Sequence, residues 1–262
     1  MLLNVKGFVL FSTNYRDSDR LVTLLTREYG LITCAARRAA QGKSNLRSLT
    51  IPFVFAEYEL FHNRERYTIN NAQLIEGFQH LADTPERLTA AAHLAEIYRD
   101  LLRDDVPSKV AYELWPHTLW QLSNTDDPLL IVSIAQLRIL SSLGFAPNVQ
   151  DQQLKKNYFS FIDGRLSSRQ EIMDTHINSG IRLQPANIAL LKTLPEIPLQ
   201  GLFNACLKAI SSEKQRENFL TFAADYLNHI MEKRYTKLDK LHEYQQLNNI
   251  AEQIRREDTS GK

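Results

Sequence analysis

Five short apolar runs occupy most of the first eighty residues of this chain and leave few ways for that part to fold. The runs are Val5 to Ser12, Asp19 to Thr26, Leu31 to Ala36, Ile51 to Phe61 and Tyr67 to Gly77. Each is rich in β-branched or aromatic residues, and turn-forming residues such as Asn14, Gly30 and Asn63 separate them. Five strands are too few for two full sheets, so the pattern predicts a closed Greek-key barrel of the OB type.

The fourth run shows the alternation that a strand requires. One face would carry Val54, Ala56, Tyr58 and Leu60, and the opposite face Phe53, Phe55, Glu57, Glu59 and Phe61. We expect the first face to form core and the second to be partly solvated.

After Phe78 the apolar residues recur at spacings of three and four, which is typical of amphipathic helices. Thr84-Pro85-Glu86 predicts the start of a helix running to about Arg103, with one stripe formed by Leu88, Ala92, Ala95, Tyr98 and Leu102. Asp127-Pro128 predicts a helix that stops at Gly144, and Ser212 with Gln215 predicts one extending as far as Leu241. Pro116 is expected to end or kink the helix that contains it.

Residues Phe145 to Gly180 follow neither pattern. Their clearest element is Tyr158 to Ile162, followed by Asp163-Gly164, a pair that favours a tight hairpin. The predicted fold is therefore α+β, an N-terminal five-stranded OB-type barrel followed by a mostly helical domain with a small hairpin-containing insertion. We predict a barrel over 1–80, a helical domain over 81–145 and 181–245, an insertion over 146–180 and a flexible tail over 246–262.

The composition is that of a globular protein, with 44% hydrophobic and 23% charged residues. Charges interrupt every apolar run before the length of about 20 residues that a membrane helix needs, and no leader pattern opens the chain. A cytoplasmic location without membrane contact is expected. The two cysteines, Cys34 and Cys206, are expected to be buried, unreactive thiols.

Charge is unevenly distributed along the chain. Residues 1–80 carry ten lysines and arginines against seven acids, whereas residues 81–145 carry five against nine. No acid interrupts residues 36–47, which we call the basic arm and which lie between two predicted strands. The basic residues Arg37, Arg38, Lys43 and Arg47 are therefore candidate nucleic-acid contacts, and Arg20 is included with them.

Aromatic rings could provide stacking surfaces for bases beside such an arm. The candidates are Phe53, Phe55, Phe61 and Tyr67. A barrel core also needs aromatic residues, and for each ring the core is the favoured alternative.

Enzyme chemistry finds little support in the sequence. Phosphate-binding glycine loops, nucleophile elbows and paired histidines at metal-ligand spacing are all missing from it. Asp17 and Asp19 could suggest a metal-dependent nuclease, but two aspartates in a turn are more typical of loop or cap residues. We expect a protein that is not an enzyme.

Several of these stretches together resemble the bacterial RecO family of recombination mediators and DNA repair proteins. The segment from Tyr15 to Gly30 carries the N-terminal pattern of that family. The resemblance continues through four shorter stretches: Lys43-Ser44, Pro52-Phe53, Glu57 to Leu60 and Ile75 to Phe78. Farther on, the segment from Gln136 to Pro147 is similar to a helix and exit turn of the family's helical domain.

The resemblance implies a protein that binds single- and double-stranded DNA, anneals complementary strands and associates with the nucleoid. It also implies that the protein, together with RecR, promotes loading of RecA onto DNA coated with single-strand-binding protein (SSB), and docks on the acidic C-terminal tail of SSB. An RNA-binding or general single-strand-binding OB-fold protein is the alternative that shares the barrel and the arm.

This sequence departs from the family pattern at two places. Many members hold a four-cysteine zinc motif where residues 145–180 lie, and these residues contain no cysteine, so we predict no zinc and no other cofactor. Aromatic packing by Tyr158, Phe159 and Phe161 would then hold the hairpin. In the basic arm, Arg38 stands where the family has glycine and Ala40 where it has arginine, and Arg38 is a candidate to supply the missing charge.

For the SSB tail, we expect a cation beside an apolar pocket, because the ligand offers a carboxylate next to a phenylalanine. Arg138 is the candidate, with Leu137 and Leu140 on the same helix. The structural alternative is that Arg138 pairs with Asp126 or Glu113.

Overall fold

The structure, a computed structural model, describes residues 1–64, 66–150, 157–174, 180–237 and 239–241. The chain divides into two compact units, Met1–Asn124 and Thr125–Lys262. The predicted tail over 246–262 lies outside the described residues, and the domain boundaries drawn from the sequence stay predictions.

The predicted five-stranded barrel is confirmed. Its strands are β1 (Leu2–Tyr15), β2 (Asp19–Thr26), β3 (Gly30–Ala36), β4 (Phe55–Asn63) and β5 (Arg66–Glu76), closed in the order β1-β2-β3-β5-β4. Only β3 and β5 run parallel, with Cys34 opposite Tyr67; the other neighbours are antiparallel. This is the arrangement of an OB-type barrel.

The fourth strand begins later than the sequence predicts. Ser48–Thr50 forms a 3-10 turn, and β4 starts at Phe55 because Phe53 has a left-handed φ of 72°, which extended backbone does not allow. From there the predicted alternation is confirmed. The side chains of Val54, Ala56, Tyr58 and Leu60 are all buried in the barrel core.

Two helices complete the first unit: α1 (Pro85–Leu101) and α2 (Lys109–Ser123). Thr84 caps α1 as predicted, accepting a hydrogen bond from the N–H of Arg87. The spacing predicts Leu88 on the buried stripe, but Leu88 is 42% exposed, and the buried face runs through Leu94 and Tyr98 instead. The helix α2 does not end at Pro116, and the fully buried Trp115 and Leu119 on either side anchor it.

The helices of the second unit include α3 (Pro128–Ser142), α4 (Arg169–Asp174), α5 (Pro185–Thr193), α6 (Leu202–Ala209) and α7 (Glu213–Ile230). Asp127 caps α3 through a hydrogen bond from the N–H of Leu130, and Gly144 follows its end with a φ of 92°. Ser212 caps α7 as predicted, but α7 ends at Ile230, well before Leu241.

The insertion is a small sheet with strand order β7-β6-β8, formed by β6 (Tyr158–Ser160), β7 (Arg165–Ser167) and β8 (Gly180–Arg182). The predicted hairpin is present, but its connection spans residues 161–164 rather than the Asp-Gly pair alone. The fully buried Phe159 ring packs edge-on against Phe222 and Tyr226 of α7. Phe161 also stacks on Phe222, with ring centroids 6.3 Å apart, so the packing predicted for Phe159 and Phe161 is confirmed.

Within the described segments, no group of three or more histidine, cysteine or acidic side chains is placed to hold a metal ion. Among the described helices, none combines the length and the apolar character needed to cross a membrane.

Candidate nucleic-acid interface

The basic arm is held against the barrel by two apolar side chains. Ala39 is fully buried and Leu46 is 9% exposed, and both belong to the barrel core cluster. A chain of reverse-turn hydrogen bonds links Ala36 to Arg47. The arm is therefore a packed surface element rather than a loose loop.

The basic side chains of the arm point outward. Arg37, Arg38, Lys43 and Arg47 are all exposed, and the described part of the chain contains no ion pair to any of them. A row of unneutralised cations on a packed backbone is the arrangement that attracts phosphate groups.

The first turn of the barrel fixes the course of the arm. The N–H of Arg38 donates to Oδ1 of Asp19 at 2.8 Å, and the N–H of Ala40 donates to the carbonyl of Ser18 at 2.9 Å. Arg38 has a φ of 55°, a left-handed conformation that favours glycine. The backbone at Arg38 thus has a conformation typical of glycine, while its side chain adds a charge.

Arg20 lies close to the arm but is used differently from the other candidates. Its Nη1 donates to the carbonyl of Arg47 at 2.8 Å and to Oγ1 of Thr50 at 2.9 Å. These bonds attach the far end of the arm to β2. Arg20 therefore positions the arm, and its direct contact with nucleic acid stays a prediction.

The four aromatic candidates differ in how accessible their rings are. Phe53 is 7% exposed and tilts against Trp115, and Phe55 stacks on Phe8 with ring centroids 4.1 Å apart. Both rings belong to the packing of the first unit. Tyr67 stacks on His62 at 4.4 Å, and burial raises the pKa of its hydroxyl. Phe61 is the open ring of the four, with 43% of the residue exposed.

Phe61 lies on a face of β4 that also carries two carboxylates. Its neighbours two and four positions earlier on the same face of β4 are Glu59 and Glu57. These two carboxylates, together with Asn4, Asn71, Ala72 and Gln73, line a shallow cavity of about 270 Å³ on β1, β4 and β5. The barrel thus has a basic arm on one part of its surface and an acidic hollow on another.

The sequence reasoning missed one aromatic residue, Tyr15. It ends β1, is 42% exposed, and carries the guanidinium carbon of Arg16 over its ring at 5.1 Å from the ring centroid. The adjoining Ser18 and Asp19 are the residues that hold the arm. The adjacent Tyr-Arg pair between two strand runs was the available signal.

Arg138, the candidate for the SSB tail, lies half-buried on α3. Its Nη1 donates to the carbonyl of Leu194 at 2.9 Å and also to the carbonyl of Pro195, while its Nε is buried without a partner. Desolvation lowers the pKa of this guanidinium. The structural partners of Arg138 are thus carbonyls at the end of α5, and the predicted pairing with Asp126 or Glu113 is absent from its described hydrogen bonds.

A closed five-stranded OB-type barrel that presents a packed, acid-free basic arm defines an OB-fold protein, a class that binds oligonucleotides and oligosaccharides. Residues 1–78 match the family model described as recombination protein O N terminal, and residues 82–235 match recombination protein O C terminal. The chain belongs to the RecO family of DNA repair proteins.

Relatives that carry the name DNA repair protein RecO align with most of the chain. The protein of Acetivibrio thermocellus is 29% identical over 245 residues, covering 90% of this chain and 95% of its own length. That of Caldicellulosiruptor bescii is 25% identical over 220 residues, covering 80% and 90% respectively. That of Exiguobacterium sibiricum is 31% identical over 149 residues, or 57% of this chain and 60% of its own.

Proposed function

We propose that this chain is a mediator of DNA repair and homologous recombination that binds single- and double-stranded DNA and anneals complementary strands. With RecR, it promotes RecA loading on DNA coated with SSB. The observation that carries the DNA-binding part is the basic arm, with its four exposed cations on a backbone anchored by Ala39 and Leu46. Family membership supports the repair role.

The arm suits annealing because its contacts are to phosphate rather than to bases. Each phosphate that a cation neutralises releases counterions, and the logarithm of single-strand affinity then falls by about 0.7 per contact for each tenfold rise in salt. Four contacts predict a slope of about −3. Binding of this kind is independent of sequence, so two complementary strands are held equally well.

The proposed role requires no catalysis. Asp17 and Asp19 were the two acids that could suggest a nuclease, and the Asp19 carboxylate lies at the start of β2 beside the arm. That carboxylate accepts a hydrogen bond from the N–H of Arg38, so its structural role is to hold the arm. The protein would act in the cytoplasm, on the nucleoid.

The second unit supplies a candidate site for the SSB tail at Arg138. Its Nη1 is engaged by the carbonyls of Leu194 and Pro195, which fixes the guanidinium in place at the helix surface. Within the described residues, Nη2 has no hydrogen bond to protein and is the nitrogen that would receive the tail carboxylate.

Annealing of two complementary oligonucleotides coated with SSB tests both parts. We expect faster annealing with intact SSB and no gain with SSB lacking its C-terminal tail. The variant Arg37→Glu with Arg38→Glu should abolish the gain, whereas Lys6→Glu with Arg27→Glu, an equal charge change at exposed barrel sites outside the arm, should retain most of it. Equal loss in both variants would move the DNA site away from the arm.

A competition experiment addresses the alternative, an RNA-binding OB-fold protein. Matched DNA and RNA single strands are offered to the same protein at the same salt concentration. Preference for RNA would refute the proposed DNA function, because such a preference requires contacts to the 2′-hydroxyl.

A further inference from the structure

We infer that Tyr15 is the base-stacking platform of this barrel and that it selects an unpaired base of single-stranded DNA. This inference rests on the proposed function, since it assumes that the basic arm holds the phosphate backbone.

Tyr15 is tied to the arm through the turn that joins β1 to β2. It is the register partner of Asp19, whose carboxylate receives the N–H of Arg38. Ser18, one residue earlier, accepts the N–H of Ala40 through its carbonyl. The ring therefore lies at the edge of the basic arm, which carries Arg37 and Arg38. A DNA strand bound to those arginines can reach it.

The ring is already used as a stacking surface in the free protein. The guanidinium carbon of Arg16 lies 5.1 Å from the centroid of the Tyr15 ring, while 42% of the residue remains exposed. A planar base can replace the guanidinium on the ring, because the exposed ring face that now holds a cation by cation–π attraction can also stack a base. The displaced Arg16 is then available to a neighbouring phosphate.

The other aromatic rings of the barrel are less suited to this role. Phe53 and Phe55 pack against Trp115 and Phe8, so they contribute to the interior of the first unit. Phe61 is as open as Tyr15, at 43% exposed, but it lies on β4, whereas the hydrogen bonds that hold the arm come from Ser18, Asp19 and Arg20, close to Tyr15. Phe61 therefore provides a matched control of equal exposure on a different strand.

Stacking on Tyr15 distinguishes a single strand from a duplex. In a duplex both faces of each base are covered by neighbouring bases, whereas a single strand can offer a free face to the ring. Annealing covers the free face of each base, so only the basic arm would still bind the duplex product. Duplex formation would thus lower the affinity of the protein for its product and favour its release.

Affinities of Tyr15→Ala, Tyr15→Trp and Phe61→Ala for an oligothymidine strand and for a duplex of equal length test this inference at one salt concentration. We expect Tyr15→Ala to weaken single-strand binding about 5- to 150-fold and to leave duplex binding unchanged. Tyr15→Trp should retain single-strand affinity, and Phe61→Ala should match the unaltered chain. Thermal unfolding midpoints should be unchanged in all three variants, because both rings are exposed.

Two outcomes would overturn the inference: equal single-strand affinities for Tyr15→Ala and Phe61→Ala, or an equal loss of single-strand and duplex binding in Tyr15→Ala. The arm variant Arg37→Glu with Arg38→Glu separates this failure from failure of the proposed function. If that variant loses DNA while Tyr15→Ala does not, only the stacking platform is wrong. If that variant keeps full affinity, the arm itself is not the DNA site.

Discussion

The main-chain N–H of Arg38 donates a 2.8 Å hydrogen bond to Oδ1 of Asp19. One contact therefore joins an acid in the first turn of the barrel to the most constrained residue of the basic arm. Arg38 adopts a left-handed φ of 55°, and the bond to Asp19 helps to offset the strain of that conformation. The acid that could have suggested catalysis thus holds the basic arm, the candidate interface, in place.

The role of Asp19 can be separated from its charge. Asp19→Ala and Asp19→Asn both remove the negative charge, but only the alanine removes the acceptor for the Arg38 N–H. We expect Asp19→Ala to be less stable than Asp19→Asn by about 1 kcal/mol in urea denaturation. Asp17→Ala, in the same turn, serves as the control and should unfold like the unaltered chain. Equal stability of the two Asp19 variants would show that the bond contributes nothing.

Replacing Arg38 by glycine should have opposite effects on stability and on binding. Arg38→Gly relieves the left-handed backbone and is expected to raise the free energy of unfolding by up to about 1 kcal/mol. It also removes one phosphate contact, so the salt slope of single-strand binding should become shallower by about 0.7. Arg37→Gly is the comparison, because Arg37 has no positive φ to relieve. An unchanged slope in Arg38→Gly would exclude this side chain from the DNA contact.

Loss of Arg138 should destabilise the second unit. Arg138→Ala leaves the carbonyls of Leu194 and Pro195 without their donor, which is expected to cost about 1–3 kcal/mol of unfolding free energy. Arg138→Lys keeps a donor and should lose less. If chemical denaturation shows Arg138→Ala to be as stable as the unaltered chain, the guanidinium is available for a ligand at no structural cost.

The buried thiols predict a loss of stability at alkaline pH. Burial raises the pKa of Cys34 and of Cys206 from 9.0 to about 12. Both thiols are protonated in either state below pH 9, but between pH 9 and pH 12 only the unfolded chain releases their protons, so stability falls as pH rises through that range. The measurement is urea denaturation at about pH 8 and about pH 10.5.

The double variant Cys34→Ala with Cys206→Ala is the control, because it lacks both thiols. It should lose less stability than the unaltered chain between the two pH values. An identical loss in both proteins would assign the alkaline effect to other groups.

The barrel was predictable because its strands carry local signals. Alternation places Val54, Ala56, Tyr58 and Leu60 on one face, and that face is the core. Helix starts were predictable for the same reason, since Thr84, Asp127 and Ser212 each cap through a bond to a residue three positions later. Helix ends were predicted less well. The helix α7 ends at Ile230, and Pro116 is accommodated inside α2.

The residues of the candidate interface were only partly predictable. The charge pattern of the sequence located the basic arm. It could not show that the Nη1 of Arg20 donates hydrogen bonds to Arg47 and Thr50. Those partners lie 27 and 30 residues away along the chain, and no local pattern encodes such a contact. Nor could it show that Tyr15 stands beside the arm while Phe53 and Phe55 pack inside.

The sequence by itself determined the order of strands and helices, the position of the basic arm and the family, because periodicity, capping residues and charge act between near neighbours in the chain. The tertiary structure alone decided which cations and rings face outward. Exposure depends on packing between distant segments, as when Ala39 and Leu46 enter the barrel core and turn the arginines of the arm toward solvent. Burial is a property of the closed barrel, and no single strand carries it.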